Sequence, residues 1–186
     1  MSSPEKSMRG KLRHLTIAAV LSAIPLVAAC TVQPLYYNPS SGGVATGVTA
    51  ELQSISIKPV ETRYGQELRN HLIFLLNGGS GQPADARYSL ALRVTSVDRS
   101  AAVVQRAREN EPTAGTVTLT ANYVLTENAT GDVAATGRRQ ITSSYDVPRQ
   151  EFAALRAERD AENRAARELA ELLKLVLAQE LTGRAG

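Results

Sequence analysis

Between Tyr88 and Leu181 the apolar residues change their spacing once, and that single change of period limits the chain to a small set of folds. Up to Tyr145 they alternate. Tyr88, Leu90, Leu92 and Val94 are interleaved with Ser89, Ala91, Arg93 and Thr95. Further on, Val117, Leu119, Ala121, Tyr123 and Leu125 are interleaved with Thr116, Thr118, Thr120, Asn122 and Val124. Alternation puts one kind of side chain on each face of a strand, so both segments predict strands with a single apolar face. A weaker strand, VAATGRRQITSSY, follows the turn signal NATGD and has its clearest apolar points at Val133, Ile141 and Tyr145. These three strands are expected to form an antiparallel meander.

From Pro148 the spacing becomes helical. Phe152, Leu155, Ala161, Ala165, Leu169, Leu172, Leu173, Val176 and Leu181 trace one stripe, and Glu158, Arg159, Glu162, Arg164, Arg167, Glu168, Glu171 and Lys174 fill the remainder. The pattern predicts a helix of about 30 residues with Pro148 in its first turn, where a missing N–H is harmless, and an end before Gly183. Alanines dominate its first half and no heptad is sustained, so it is expected to pack on its own sheet and not on a second helix of the same kind.

Upstream, LQSISIKPV places Leu52, Ile55 and Ile57 near alternate positions before Pro59, which suits a short first strand. Next, Leu68, Leu72, Ile73, Leu75 and Leu76 recur at three- and four-residue spacing, and Asn77-Gly78-Gly79 stops a helix of about three turns. The stretch from Gln105 to Gly115 is polar and is expected to be a connection. The sum is an α+β two-layer sandwich: an about four-stranded, mostly antiparallel sheet with two helices packed on one face, in the order βαβββα. The other face carries Thr, Ser, Asn and Arg, too little apolar surface to need a covering layer, so it is expected to meet water or a polar partner.

The start of the chain is of another kind. Lys6, Arg9, Lys11 and Arg13 precede an uncharged run from Leu15 to Ala29, the layout of a secretory signal peptide. The run is shorter than the roughly 18–20 residues that span a bilayer, and Pro25 interrupts it. Val27-Ala28-Ala29-Cys30 resembles the bacterial lipobox, which implies acylation of Cys30 and cleavage before it. The sole cysteine has no disulfide partner and is expected to be a membrane anchor, held by several acyl chains at about 0.8 kcal/mol per buried methylene. The expected organisation is a signal peptide over 1–29, a lipidated N-terminus and Pro/Gly/Ser-rich tether over 30–50, an α+β domain over 51–182 and a tail over 183–186.

The pI of about 9.2 belongs to that leader. It holds four of the 21 Lys and Arg but only Glu5 of the 18 acids, leaving 17 of each and a formal charge of zero, so nothing favours nucleic acid. Catalytic means are scarce as well. After the leader His71 is the sole histidine and Cys30 the sole cysteine, which excludes Cys/His nucleophile pairs and Cys/His metal sites. NGGSG ends a helix and lacks the Lys-Ser/Thr of a phosphate loop. No catalytic residue, metal ligand or cofactor is nominated beyond the covalent lipid on Cys30.

Three stretches carry a resemblance: Gln33-Pro34-Leu35-Tyr36 after Cys30; Arg63-Tyr64-Gly65-Gln66-Glu67-Leu68-Arg69-Asn70; and Ser144-Tyr145 through Phe152-Ala153 to Asp160-Ala161. In order and spacing the chain resembles the outer-membrane lipopolysaccharide-assembly lipoproteins of the LptE (RlpB) family, in their alphaproteobacterial form. The resemblance implies a non-enzymatic lipoprotein of the outer membrane. It would plug an LptD-type β-barrel, help it assemble, and bind lipopolysaccharide for delivery to the outer leaflet. It also implies lipopolysaccharide contacts by basic residues before the third strand and on the fourth, for which Arg106, Arg108, Arg138 and Arg139 are the positions here. The competing readings are a periplasmic auxiliary lipoprotein of an ABC-type lipid-transport system and, further off, a small envelope hydrolase.

Overall fold

The computed structural model describes residues 47–106 and 109–185, with side chains described for 47–99 and 113–184. The signal peptide, Cys30, most of the tether and Arg108 lie outside the described residues. Among the described residues seven elements follow one another: α1 (Val48–Gln53), β1 (Ile55–Ile57), α2 (Arg63–Asn77), β2 (Tyr88–Arg106), β3 (Glu109–Glu127), β4 (Val133–Asp146) and α3 (Glu151–Ala185). The sheet order is β1-β2-β3-β4, with β1 parallel to β2 and the other pairs antiparallel. This is the expected α+β arrangement with one added short helix.

Alternation decides which face is covered. On β3, Val117, Leu119, Ala121, Tyr123 and Leu125 are buried, and on β2 so are Tyr88, Leu90 and Val94. Opposite them α3 buries Ala161, Ala165, Leu169, Leu173 and Leu177, and α2 buries Leu68, Leu72 and Leu76 at four-residue steps. Each such leucine contributes about 1.5–3 kcal/mol by leaving water. The ends of α2 are written in the sequence: Thr62 Oγ1 accepts from the Gly65 N–H at 3.2 Å, and Gly78 stops the helix at φ 59°, which a side chain would resist.

Four local expectations are corrected. Leu52 belongs to α1 and not to a strand, and β1 is only three residues long. At six residues α1 is too short to show a helical period, and it starts inside the segment read as tether. The polar stretch 105–115 is mostly strand: β2 and β3 are 19 residues each and stay paired out to Arg106 opposite Glu109. Pro112 within it sits opposite Val103, beside the register shifts at Ser100, Ala102 and Val103, where proline is tolerated. Finally, α3 begins at Glu151, so Pro148 precedes it, and it runs through Gly183 to Ala185.

Two glycine–tyrosine pairs lock β3 to β4. Tyr123 faces Gly137 and Gly115 faces Tyr145 in register, each ring lying across the bare backbone of its partner. A Cβ on Gly137 would lie 2.6 Å from Tyr123 Oη. Crossing Gly115, the Tyr145 hydroxyl donates to Asp98 Oδ1 at 2.9 Å, so one side chain ties three strands. Burial, and then the bond to Asp98, push the Tyr145 phenol up to about 12. With an unfolded value near 10, the folded chain holds this proton more tightly. The associated stability is complete below pH ~10 and drains away as pH climbs from about 10 to about 12. Tyr145→Phe is expected to shallow the fall of the unfolding midpoint over that window, measured by chemical denaturation at stepped pH.

Candidate functional site

The uncovered sheet face is built by the other half of each alternation. One register row crosses three strands there: Arg93 on β2 pairs with Asn122 on β3, which pairs with Arg138 on β4. Two strand spacings separate the arginine backbones, roughly 10 Å. All three residues are exposed, and no carboxylate is paired with either arginine among the described residues. The row on one side is Ala91, Val124 and Thr136, and on the other Thr95, Thr120 and Gln140. The arginine row and the Ala91–Val124–Thr136 row line a shallow depression of about 550 Å3. Further along, the Thr118 and Thr142 hydroxyls share a hydrogen bond of 2.9 Å across β3 and β4. Such a surface can hold an anion between two guanidinium forks, with Asn122 to donate or accept between them.

The arginines named from the sequence are dispersed. Arg138 lies in this row. Arg139, its neighbour on the same strand, points to the opposite face by the strand's own geometry, where its charge partly offsets the burial that raises the Tyr123 phenol. Its Nη1 donates to the Arg138 carbonyl at 2.8 Å. Arg106 closes β2 at the far end of the hairpin, and Arg108 is outside the described residues. Arg93 was missed as a candidate. Its signal was present: it sits on the polar half of the β2 alternation, but only the register of the meander shows that Asn122 and Arg138 share its row.

Other arginines hold the fold together. Arg87 donates to Glu51 Oε1 at 2.7 Å and Glu127 Oε1 at 3.2 Å, pinning α1 to the sheet. In the segment Arg63–Asn70, Arg63 bonds Glu162 and Asn163 of α3, Arg69 donates to the Ile57 carbonyl at 3.0 Å, and Glu67 lies 3.8 Å from Arg167. Gly65 is needed because a Cβ there would lie 2.6 Å from Thr62 Oγ1. That motif joins α2 to β1 and α3, so it is architectural. His71 lies on α2, half-buried. Among the described residues no group of three His, Cys, Asp or Glu is placed to hold a metal ion.

The model of one family, LptE, described as lipopolysaccharide-assembly, matches residues 52–175, from the end of α1 to the last third of α3. The chain belongs to the LptE family. A solved structure from Caulobacter crescentus, described as a lipoprotein, is 32% identical, covering 73% of this chain and 96% of that one with a TM-score of 0.59. A minor lipoprotein from Acinetobacter baumannii (14% identity, 67% and 90% coverage, TM-score 0.51) shares the fold. So does rare lipoprotein B from Shewanella oneidensis (12%, 71% and 97%, 0.50). No curated protein sequence matches this one. LptE membership makes the chain a lipopolysaccharide-assembly protein, and its matched region contains the whole sheet, including the Arg93–Asn122–Arg138 row.

Proposed function

We propose that this LptE-family chain is an outer-membrane lipoprotein, acylated at Cys30, that occupies the lumen of an LptD-type barrel, assists its assembly and binds lipopolysaccharide on its way to the outer leaflet. The observation that carries the reading is the open sheet face. A barrel lumen is polar, and a body inserted in one needs a surface that stays satisfied beside polar walls. The same face presents guanidinium forks to the phosphates or acidic sugars of an anionic glycolipid. Arg93 and Arg138 are the central contacts in this proposal, with Arg106, the last residue of β2, and Arg108, outside the described residues, as further candidates. Arg139 supports the strand from the other side.

Depletion in the native host, with affinity capture of the tagged full-length chain, tests this. The expected result is recovery of a large outer-membrane barrel, together with a fall in folded barrel and in surface lipopolysaccharide on depletion. Recovery of an inner-membrane ABC complex instead would favour the auxiliary-subunit reading and overturn ours.

A further inference from the structure

The two edges of the sheet are finished differently. At the β1 edge the backbone is sealed: Ile57, whose N–H and C=O point away from β2, donates to Gln82 Oε1 at 2.5 Å and accepts from Arg69 Nη2 at 3.0 Å. The other edge is β4. Successive residues of an antiparallel strand turn their N–H and C=O alternately toward the neighbouring strand and away from it. Ala134, Arg138 and Ser144 turn away from β3, since their carbonyls accept from Arg184 at 2.9 Å, Arg139 at 2.8 Å and Arg164 at 2.8 Å. By the same alternation so do Thr136, Gln140 and Thr142, and among the described residues nothing meets their outward N–H or C=O groups. Arg164 and Arg184 thus bracket an open stretch, 136–142, with the backbone pattern that pairs with another strand. Its two faces differ in charge. On the open face Arg138 stands between Thr136 and Gln140, with no carboxylate in its own row or in the rows on either side. On the helix side are Arg139 and half-buried Ile141, and there α3 sets exposed Glu168 and Glu180 at the four-residue step of Arg164 and Arg184, with half-buried Leu172 between them. The helix side is mixed in charge and the open side is cationic.

We infer that residues 136–142 of β4 are a strand-pairing site, taken by an extended segment of the barrel partner that carries a carboxylate beside Arg138 and apolar side chains on the face toward Ile141 and Leu172. This rests on the reading that the chain works with a barrel. A closed barrel wall has no free strand edge, so the segment is a terminus or a loop of that protein. Unpaired N–H and C=O groups alternating at strand spacing are matched by another extended backbone and not by acyl chains. Charge decides whose backbone it is. From Val133 to Tyr145 β4 has Arg138 and Arg139 and no acid, so pairing with the same strand of a second copy would gather the guanidinium groups of both in one ladder without a carboxylate on either strand. The β1 edge of a second copy is sealed. The stretch from Cys30 to Thr46 has no acid and holds Pro34 and Pro39, so this chain's own upstream segment is no better matched. A guanidinium has five N–H donors, which lets Arg138 hold the carboxylate and still turn a donor toward the anion site it shares with Arg93.

The test is amide hydrogen exchange, read residue by residue on the full-length acylated chain, alone and in the complex captured with the barrel. In the chain alone the outward amides of Thr136, Gln140 and Thr142 should exchange fast, while those of Gly137, Arg139 and Ile141, turned toward β3, exchange slowly. In the complex the outward set should slow by about a hundredfold or more, as for amides drawn into a ladder. Gln140→Pro removes an outward donor and leaves the β3 ladder in place, so it should lower barrel recovery about tenfold or more. The exchange measurement needs no variant and decides the matter should Gln140→Pro fold poorly. Outward amides that exchange equally fast in the complex overturn the inference while leaving the barrel reading standing, as does undiminished recovery with folded Gln140→Pro. Protection that appears in the chain alone as its concentration rises, or on adding lipopolysaccharide without the barrel, also overturns it, by making the edge a self-association or glycolipid site. A wild-type chain that recovers no barrel overturns both.

Discussion

Gly137→Ala is expected to destabilise the domain by about 1–3 kcal/mol, although it adds a single methyl group to an edge strand. The reason is the ring beneath it. Tyr123 is 1% exposed and fills the space a Cβ would take, with Oη at 2.6 Å and Cζ at 2.8 Å from that position. The ring has little freedom to retreat, because burial by the core around it fixes its place. The diagnostic is a double-mutant cycle in denaturant. Tyr123→Ala alone should cost about 3–5 kcal/mol, as for other large aromatic truncations. In that background Gly137→Ala should become neutral or stabilising, because alanine is easier to order in a strand than glycine. An equal cost in both backgrounds would sink the interlock.

The second large effect concerns ligand and not fold. Arg93→Glu/Arg138→Glu is expected to weaken lipopolysaccharide binding by about 100-fold or more at fixed ionic strength, since each charge-assisted hydrogen bond is worth about 1.5–3 kcal/mol and reversal adds repulsion. The unfolding midpoint should hardly move, because both side chains are exposed and, among the described residues, neither is held in an ion pair such as those of Arg63 or Arg87. Arg139→Glu is the internal control. It is adjacent in sequence but on the helix side, so its effect on binding should be several-fold smaller. Equal losses from Arg138→Glu and Arg139→Glu would mean that the open face is not the binding surface.

Much of this was legible from residue spacing. Alternation on β2 and β3 fixed which side chains are buried, and the four-residue steps of Leu68, Leu72 and Leu76 named the buried stripe of α2. What stayed hidden depended on register and length. α1 has no room to display a period, and the distal hairpin is strand because backbone pairing continues past Ser100 despite Pro112 and the local charges. For the candidate site, Arg138 and Arg139 read as one basic pair in the sequence, yet strand geometry sends them to opposite faces. Arg93, 45 positions upstream of Arg138, shares its row only through Asn122. The open edge of β4 was likewise invisible, because pairing order, and not spacing, decides which strand ends the sheet.

The reach of the hairpin has a consequence for the whole envelope. At about 3.3 Å per residue a 19-residue strand extends roughly 60 Å, whereas a bilayer with its headgroups is about 40–45 Å thick. The last described pair of that hairpin, Arg106 and Glu109, lies at the opposite end of the sheet from Arg87, Glu127 and α1. Under the proposed reading, in which the chain sits in a barrel lumen, a hairpin of that length has the reach to run from one rim of the pore to the other.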